Sequence, residues 1–327
     1  LAEYRLNNEK VSYQHIYTEG TVYEELEWMA EMDKPYQINS IVSIYTGDST
    51  NNPVKASRNY LENLDKNFFE KIERNNRFKW LKRWKESKIK IYNDNNAQFW
   101  LNYAIFRLIC CGEFSGNNIS IPARGLTGEA YKGHIFWDTE IYLLPFFIFT
   151  KPDIARKLLM YRYNTLPGAR ENAKREGFKG ACYAWESTDT GLEMTPPEVI
   201  LPNGEIIKIY SGRYENHISP DIAYTVWQYW LATYDEEFLL NYGAEIIFET
   251  ARFGTSFLIK KDDGLYHTVN VIGPDEYHEL VNDNSYTNHL IQHNLDIAIK
   301  TEEIIKKINK NEYCNLKSKI GLTDEEV

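Results

Sequence analysis

The sequence predicts a mainly α-helical chain: a short β segment, a helical linker, and a long helical region of the α/α toroid kind. Three observations carry this reading. Residues 1–50 alternate in the β manner, clearest in Val11–Tyr17 and Asn39–Tyr45, with Gly20 and Gly47 as punctuation. From Pro53 to Ser87 the apolar period turns helical. From Asn93 onward, helical segments alternate with long polar connections rich in Gly and Pro.

The elements follow in that order. A sheet cannot finish burying itself with so few strands, so residues 1–50 read as the end of a β-sandwich. Residues 51–92 form the linker. Pro53 suits a helix start. Leu61, Leu64, Phe68, Phe69 and Ile72, then Trp80, Leu81 and Trp84, make an apolar stripe, and the Trp pair reads as packing. Residues 93–327 hold expected helices at 96–111, 138–149, 153–175, 217–233, 236–260 and 285–309. The connections 112–136, 177–214 and 263–284 are long for a compact domain, and such loops are usually functional. Helix pairs joined alternately by short and long loops gather the long ones at one mouth.

Composition narrows the function. The chain has 327 residues, 43% hydrophobic and 26% charged, as ordinary globular proteins do. Its net charge of −10 argues against nucleic acid or an anionic membrane as partner. No run is long enough to span a membrane; Pro145 interrupts the apolar stretch Ile141–Phe149. Cys110, Cys111, Cys182 and Cys314 show neither metal spacing nor disulfide-scaffold density, which fits a cytoplasmic setting. The chain opens on Leu1 in the middle of strand-like sequence and reads as a piece of a longer polypeptide.

Three loops carry chemistry. The first runs Pro122 to Glu140. Its glycines lack a following Gly-Lys-Ser/Thr and a βαβ setting, so nucleotide binding is rejected. Trp137-Asp138 offers an indole face beside a hydrogen-bond acceptor, which suits the C–H faces and hydroxyls of a pyranose. Asp138 equally suits a helix cap before Thr139. The second loop repeats the theme in Trp185-Glu186-Ser187, where Glu186 is a sugar ligand or a buried structural acid. The third is Val271-Ile272-Gly273-Pro274-Asp275-Glu276-Tyr277-His278-Glu279. A Gly-Pro turn after strand-like sequence can project a carboxylate into a cleft, as a general acid requires. An ordinary solvated turn is the plain alternative. His278-Glu279 lacks the second His of a zinc protease motif, and no Gly-x-Ser-x-Gly elbow occurs.

Taken in order, these motifs resemble the inverting α-glucoside phosphorylases of glycoside hydrolase family 65, which act on maltose, kojibiose, nigerose or trehalose and have acid trehalases as hydrolytic relatives. The resemblance rests on Phe136–Glu140, Tyr161–Ala169, Trp185–Ser187 and Gly273–Glu276, with Asn241–Glu245 and Asp283–Asn288 in support. It implies an N-terminal β-sandwich, linking helices, an (α/α)6 barrel and a small C-terminal β domain, of which this chain resembles the last strands, the linker and roughly the first half of the barrel. The family's later Lys-Gln pair for glucose and its Ser and His cluster for phosphate are not found here.

The resemblance also implies a mechanism. Glu276 is the general acid that protonates the glycosidic oxygen, and orthophosphate is the nucleophile and co-substrate. No cofactor or metal is implied. Trp137 and Asp138 hold the glucosyl unit, with Trp185 and Glu186 as weaker candidates for the same wall. Thr139, Glu140 and Thr165 match acceptor-side positions, and loop 124–134 shapes acceptor choice. Asp275, His278 and Glu279 are expected to tune Glu276. The products are β-glucose 1-phosphate and an acceptor sugar. The family commonly forms dimers, so a homodimer is expected. An inverting α-glucoside hydrolase, or a non-catalytic carbohydrate-binding protein, is the alternative.

Overall fold

The structure, a computed structural model, describes residues 2–7, 9–47, 49–65, 67–112, 119–128 and 130–326. Part of the first long connection, residues 113–118, and Glu129 in the acceptor loop lie outside the described residues. The chain is mainly helical and divides into two compact units, Leu1–Lys88 and Ile89–Val327.

In the first unit, β1 (Ala2–Leu6) pairs antiparallel with β2 (Glu9–Lys10) and with β5 (Ile38–Val42), from Ala2 opposite Val42 to Leu6 opposite Ile38. Between them β3 (Tyr13–Thr18) and β4 (Thr21–Leu26) form a separate hairpin. Of these strands, β3 and β5 start and stop within a few residues of the two expected segments, while β1, β2 and β4 lie in the region read only as alternating. Two helices follow, α1 (Pro53–Glu62) and α2 (Phe68–Ser87). Pro53 stands in the first turn of α1, and the Asn52 side chain caps it by accepting from Lys55 N–H at 3.0 Å. Arg5 is buried and fastens β1 to the segment that follows α1. Its guanidinium donates to Asp65 O at 2.6 Å and Leu64 O at 3.1 Å.

The second unit opens with α3 (Asn95–Gly112). The expected helix 138–149 begins instead as a π turn, Thr139–Leu143, and continues as α4 (Leu144–Thr150). Leu144 N–H reaches back to Thr139 O, and Pro145 next to it has no N–H to give an ordinary helical bond. The expected helix 153–175 is two helices, α5 (Pro152–Asn164) and α6 (Leu166–Arg175). Pro167 cannot donate to a carbonyl four residues back, so the chain breaks at Thr165 and restarts. The connection 177–214 carries the hairpin β6 (Glu198–Ile200) and β7 (Ile206–Lys208) and a one-turn helix, α7 (Ser211–Tyr214). Then come α8 (Ile218–Thr233), the short α9 (Glu236–Phe238), a second π turn (Leu239–Gly243) and α10 (Ala244–Phe257). The hairpin β8 (Ile259–Lys260) and β9 (Tyr266–His267) precedes α11 (Ser285–Ile308). A final helix, α12 (Lys310–Ile320), was not foreseen; its mixed polar sequence shows little periodicity, and Asn309 caps it.

One apolar core holds this unit. Leu144, Phe147, Leu158, Leu159, Ile222, Val226, Ile246 and Ile247 belong to it, with α8 packed against α4, α5 and α10. The helix α8 is buried along nearly its whole length. An ion network fastens α6 and α12 to α10: Arg170 pairs with Glu245 at 2.7 Å and Glu249 at 2.6 Å, and Lys319 with Glu245 at 2.6 Å. Glu245, from the Asn241–Glu245 motif, is therefore a structural acid.

Candidate active site

The Glu276 turn is held at both feet. Val271 and Val281 exchange backbone bonds at 2.8 and 2.9 Å, which closes the turn between them. Ile272 N–H donates to Tyr214 O at 2.8 Å, which fastens the turn to the entry of α8. Gly273 leaves room that a side chain would fill: a Cβ there would lie 2.5 Å from Asn284 Nδ2. Glu276 itself is exposed. Enough protein surrounds it, even so, for desolvation to be the first cause holding its carboxyl above the ordinary carboxylate range. The negative charges of Glu215 and Asp138 push the same way, and His217 opposes.

The tuning groups therefore differ from those expected. Asp275 and His278 pair with each other at 2.8 Å in solvent. The charges that raise Glu276 come from the first loop and from the entry to α8. Sequence reading missed Glu215, His217, Asp221 and Tyr286. The signal was present in Glu215-Asn216-His217-Ile218-Ser219-Pro220-Asp221, where three ionisable groups open an apolar, Trp-rich helix and so must be buried together.

That cluster is compact. His217 Nδ1 lies 2.7 Å from Asp221 Oδ2, and its Nε2 lies 3.4 Å from Glu215 Oε2. Tyr286 donates its hydroxyl to Asp221 Oδ1 at 2.8 Å. Burial alone would lower the imidazole, but the two carboxylates outweigh it and push His217 up to about 9. Burial also pushes Asp221 up, with His217 and Tyr286 opposing. We assign the proton to His217, which faces two carboxylates, whereas Asp221 faces a cation and a donor hydroxyl.

The sequence-predicted wall residues divide into two sets. Asp138 is exposed and makes no capping bond, although it stands at the head of the π turn, so its carboxylate is not engaged as a cap. Trp137 is only 7% exposed and is part of the core, edge to face with His217. Little of its ring is left open. Trp185 is half-buried and meets Phe136 edge to face at 4.9 Å. Glu186 is buried against His134, Oε1 to Nδ1 at 2.6 Å, and the antiparallel bridge Ile135–Ser187 joins the same two loops. Glu186 thus ties the first loop to the second.

The three acceptor-side expectations fall behind this wall. Thr139 is buried and donates its hydroxyl to Ile121 O at 2.8 Å. Thr165 is buried and donates to Tyr161 O at 2.9 Å within its own helix turn. Glu140 is fully buried and pairs with the equally buried Arg162 at 2.5 Å. Burial pushes Glu140 up and Arg162 opposes; beside a guanidinium that does not deprotonate, the ionised pair is the state we assign. In this structure all three do packing work: the π turn points Thr139 and Glu140 inward, and Thr165 sits at the buried junction of α5 and α6.

The clustered carboxylates of this helical domain suit acid–base chemistry, and the family match gives the class, that of glycosyl hydrolase catalytic domains. Residues 102–327 match the model of the glycosyl hydrolase family 65 central catalytic domain. The chain belongs to glycosyl hydrolase family 65. It is 40% identical over 314 residues to kojibiose phosphorylase of Halothermothrix orenii, covering 92% of this chain and 40% of that protein. It is 38% identical over 300 residues to 1,2-alpha-glucosylglycerol phosphorylase of Bacillus selenitireducens, covering 91% of this chain and 39% of that one. A solved structure of a candidate kojibiose phosphorylase from the human microbiome superposes with a TM-score of 0.70 at 26% identity, over 93% of this chain and 43% of that one. The chain thus spans about 40% of the length of the curated relatives it matches. No helix among the described residues is long and apolar enough to cross a membrane.

Proposed function

We propose that this protein carries out inverting phosphorolysis of an α-linked glucose disaccharide or glucoside, giving β-glucose 1-phosphate and an acceptor sugar. Glu276 is the general acid. The single observation that carries this is the company Glu276 keeps: two carboxylates and a desolvating wall favour the protonated state. As the bond from C1 to the glycosidic oxygen breaks, its electrons go to that oxygen, which takes the Glu276 proton. A phosphate oxygen forms the new bond to C1 from the opposite face. Orthophosphate is already anionic, so no protein base is needed to activate it. An inverting hydrolase needs one, placed roughly 6.5–9.5 Å from the acid.

Asp138 binds sugar hydroxyls on the glucosyl unit, with Trp137, Trp185 and Glu186 forming the wall behind. In this reading residues 93–327 are the first part of an (α/α)6 barrel, residues 51–92 its linker, and residues 1–50 the end of a β-sandwich. The enzyme works in the cytoplasm without a cofactor; cysteine spacing that lacks disulfide-scaffold density supports that setting.

The test uses the complete polypeptide and a panel of α-linked glucose disaccharides, with and without orthophosphate. Phosphate-dependent release of β-glucose 1-phosphate is the expected result. Phosphate-independent release of β-glucose would overturn it in favour of hydrolysis. In the same assay Glu276→Gln should lose at least about 100-fold in turnover while still binding the disaccharide.

A further inference from the structure

Both carboxylate oxygens of Glu215 are buried without a hydrogen-bond partner, and the residue is 4% exposed. Its contact with His217 Nε2 at 3.4 Å is ionic but lacks hydrogen-bond alignment. Leaving a buried acid in that state is costly, because its lost hydration is not replaced. Buried carboxylate oxygens left without hydrogen bonds call for an explanation beyond packing.

Position supplies one. The neighbouring Tyr214 carbonyl accepts from Ile272, four residues before Glu276, so the acid turn is fastened to the backbone beside Glu215. The groups facing Glu276 are Glu215 and Asp138, both negative, and His217, positive. His217 in turn faces Asp221 and Glu215, and Asp221 faces Tyr286 and Asp138. Two carboxylates thus flank one imidazolium at the back of the site, and Asp138 and Glu276 add two more nearby. An anion at Glu276 is disfavoured there by simple Coulomb repulsion.

We propose that Glu215 is a positioning residue whose fixed negative charge keeps the proton on Glu276 until a departing glycosidic oxygen takes it, with His217 limiting the effect. Glu215 makes and breaks no bond. Its charge opposes premature loss of the proton and favours its recapture after each turnover. The inference rests on the reading of Glu276 as general acid.

The experiment is the pH–rate profile of phosphorolysis by the complete enzyme, for wild type, Glu215→Gln, Glu215→Asp and His217→Asn. Removing the negative charge should move the alkaline limb of kcat about one pH unit down. Removing the imidazolium should move it up. Glu215→Asp, which keeps the charge, should restore most of the wild-type profile. A residue that only packs would lower activity at every pH and leave the limbs in place. An unmoved limb in a folded Glu215→Gln enzyme overturns the proposal, as do shifts of one sign in both charge-removing variants. Should Glu215→Gln not fold, an unmoved or lowered limb in His217→Asn overturns it. A wild-type alkaline limb within the ordinary carboxylate range does so without any variant. The Glu276→Gln enzyme separates the two readings. If it stays active, the general-acid assignment fails. If it is inactive while the Glu215 and His217 limbs stay put, only the role of Glu215 fails.

Discussion

The rings of Trp137 and His217 meet edge to face, with centroids 4.8 Å apart and planes at 84°. The contact joins the apolar core to the buried charge cluster at the entry of α8. His217 carries a proton in the fold that it would largely lose in the unfolded chain near neutral pH. Its value rises from 6.5 to about 9, so the stabilisation is fully present below about pH 6.5 and is lost as pH rises through about 9. The amount at stake is on the order of 3 kcal/mol. Thermal melts of wild type and His217→Asn should therefore differ most at pH 6, and the gap should shrink towards pH 9.5. A gap that stays constant with pH would show that His217 contributes by packing alone.

Asp138 and Glu140 are two residues apart and should respond oppositely to mutation. Asp138 is exposed and caps nothing, so Asp138→Ala should change stability by less than about 0.5 kcal/mol. Its loss should weaken glucoside binding by about 10-fold or more, the worth of a hydrogen bond to a charged group. Denaturant melts and disaccharide binding on the same variant decide this. Full affinity in Asp138→Ala would remove it from the sugar site.

Glu140 and Arg162 are each 0% exposed and pair at 2.5 Å. Arg162 also donates to Phe136 O at 3.1 Å, so the pair braces the strand of chain that carries Trp137. Glu140→Ala leaves a buried guanidinium uncompensated and should cost about 3–5 kcal/mol. Replacing both partners, Glu140→Leu with Arg162→Met, should recover much of that loss. A double-mutant cycle by denaturant unfolding, with Glu140→Leu and Arg162→Met as its single variants, reads the difference; a double-variant loss equal to the sum of the two single losses would mean the pair is not coupled.

Much of this was legible in the residues, and the exceptions have physical causes. Periodicity located the long helices, because α8 and α11 bury continuous apolar faces and tertiary packing agrees with pattern. It failed at Thr165, where Pro167 two residues on breaks the hydrogen-bond ladder without disturbing the apolar repeat. The Gly273-Pro274 turn and its acid were visible as punctuation followed by charge. The function of Thr139 and Glu140 was not, because one π turn decides whether those positions face the loops or the core. Glu215 and Asp221 were overlooked for a similar reason. Their importance depends on being buried next to one another, and burial of a charge is a property of the fold, not of its own residue type.

Gly168 is one place near the site where that fold is tightly constrained. It lies in α6, in the motif Leu166-Pro167-Gly168-Ala169, with ordinary helical neighbours. A Cβ at this position would lie 2.1 Å from Thr190 O and 2.6 Å from the Gly191 carbonyl carbon. Both are backbone atoms of the loop that carries Trp185 and Glu186, so no side-chain rotation can relieve the clash. The approach is mutual. Gly191, at φ +74°, would place a Cβ 2.3 Å from Thr165 O. Two glycines therefore let helix and loop backbones touch, and Asn172 seals the contact by donating to Cys182 O at 3.2 Å and Gly191 O at 3.0 Å. In an exposed helix interior Gly→Ala would be stabilising by up to about 1 kcal/mol. Here Gly168→Ala must push the second loop off the helix, and overpacking of this kind costs about 1–3 kcal/mol or more. The loop holds Glu186 against His134 and so the first loop against the second, which means the displacement should reach Asp138. We expect a lowered Tm together with weakened glucoside binding, from a residue that touches no sugar. A stabilised Gly168→Ala protein would show that the loop can retreat freely, and that the wall is not fixed by this contact.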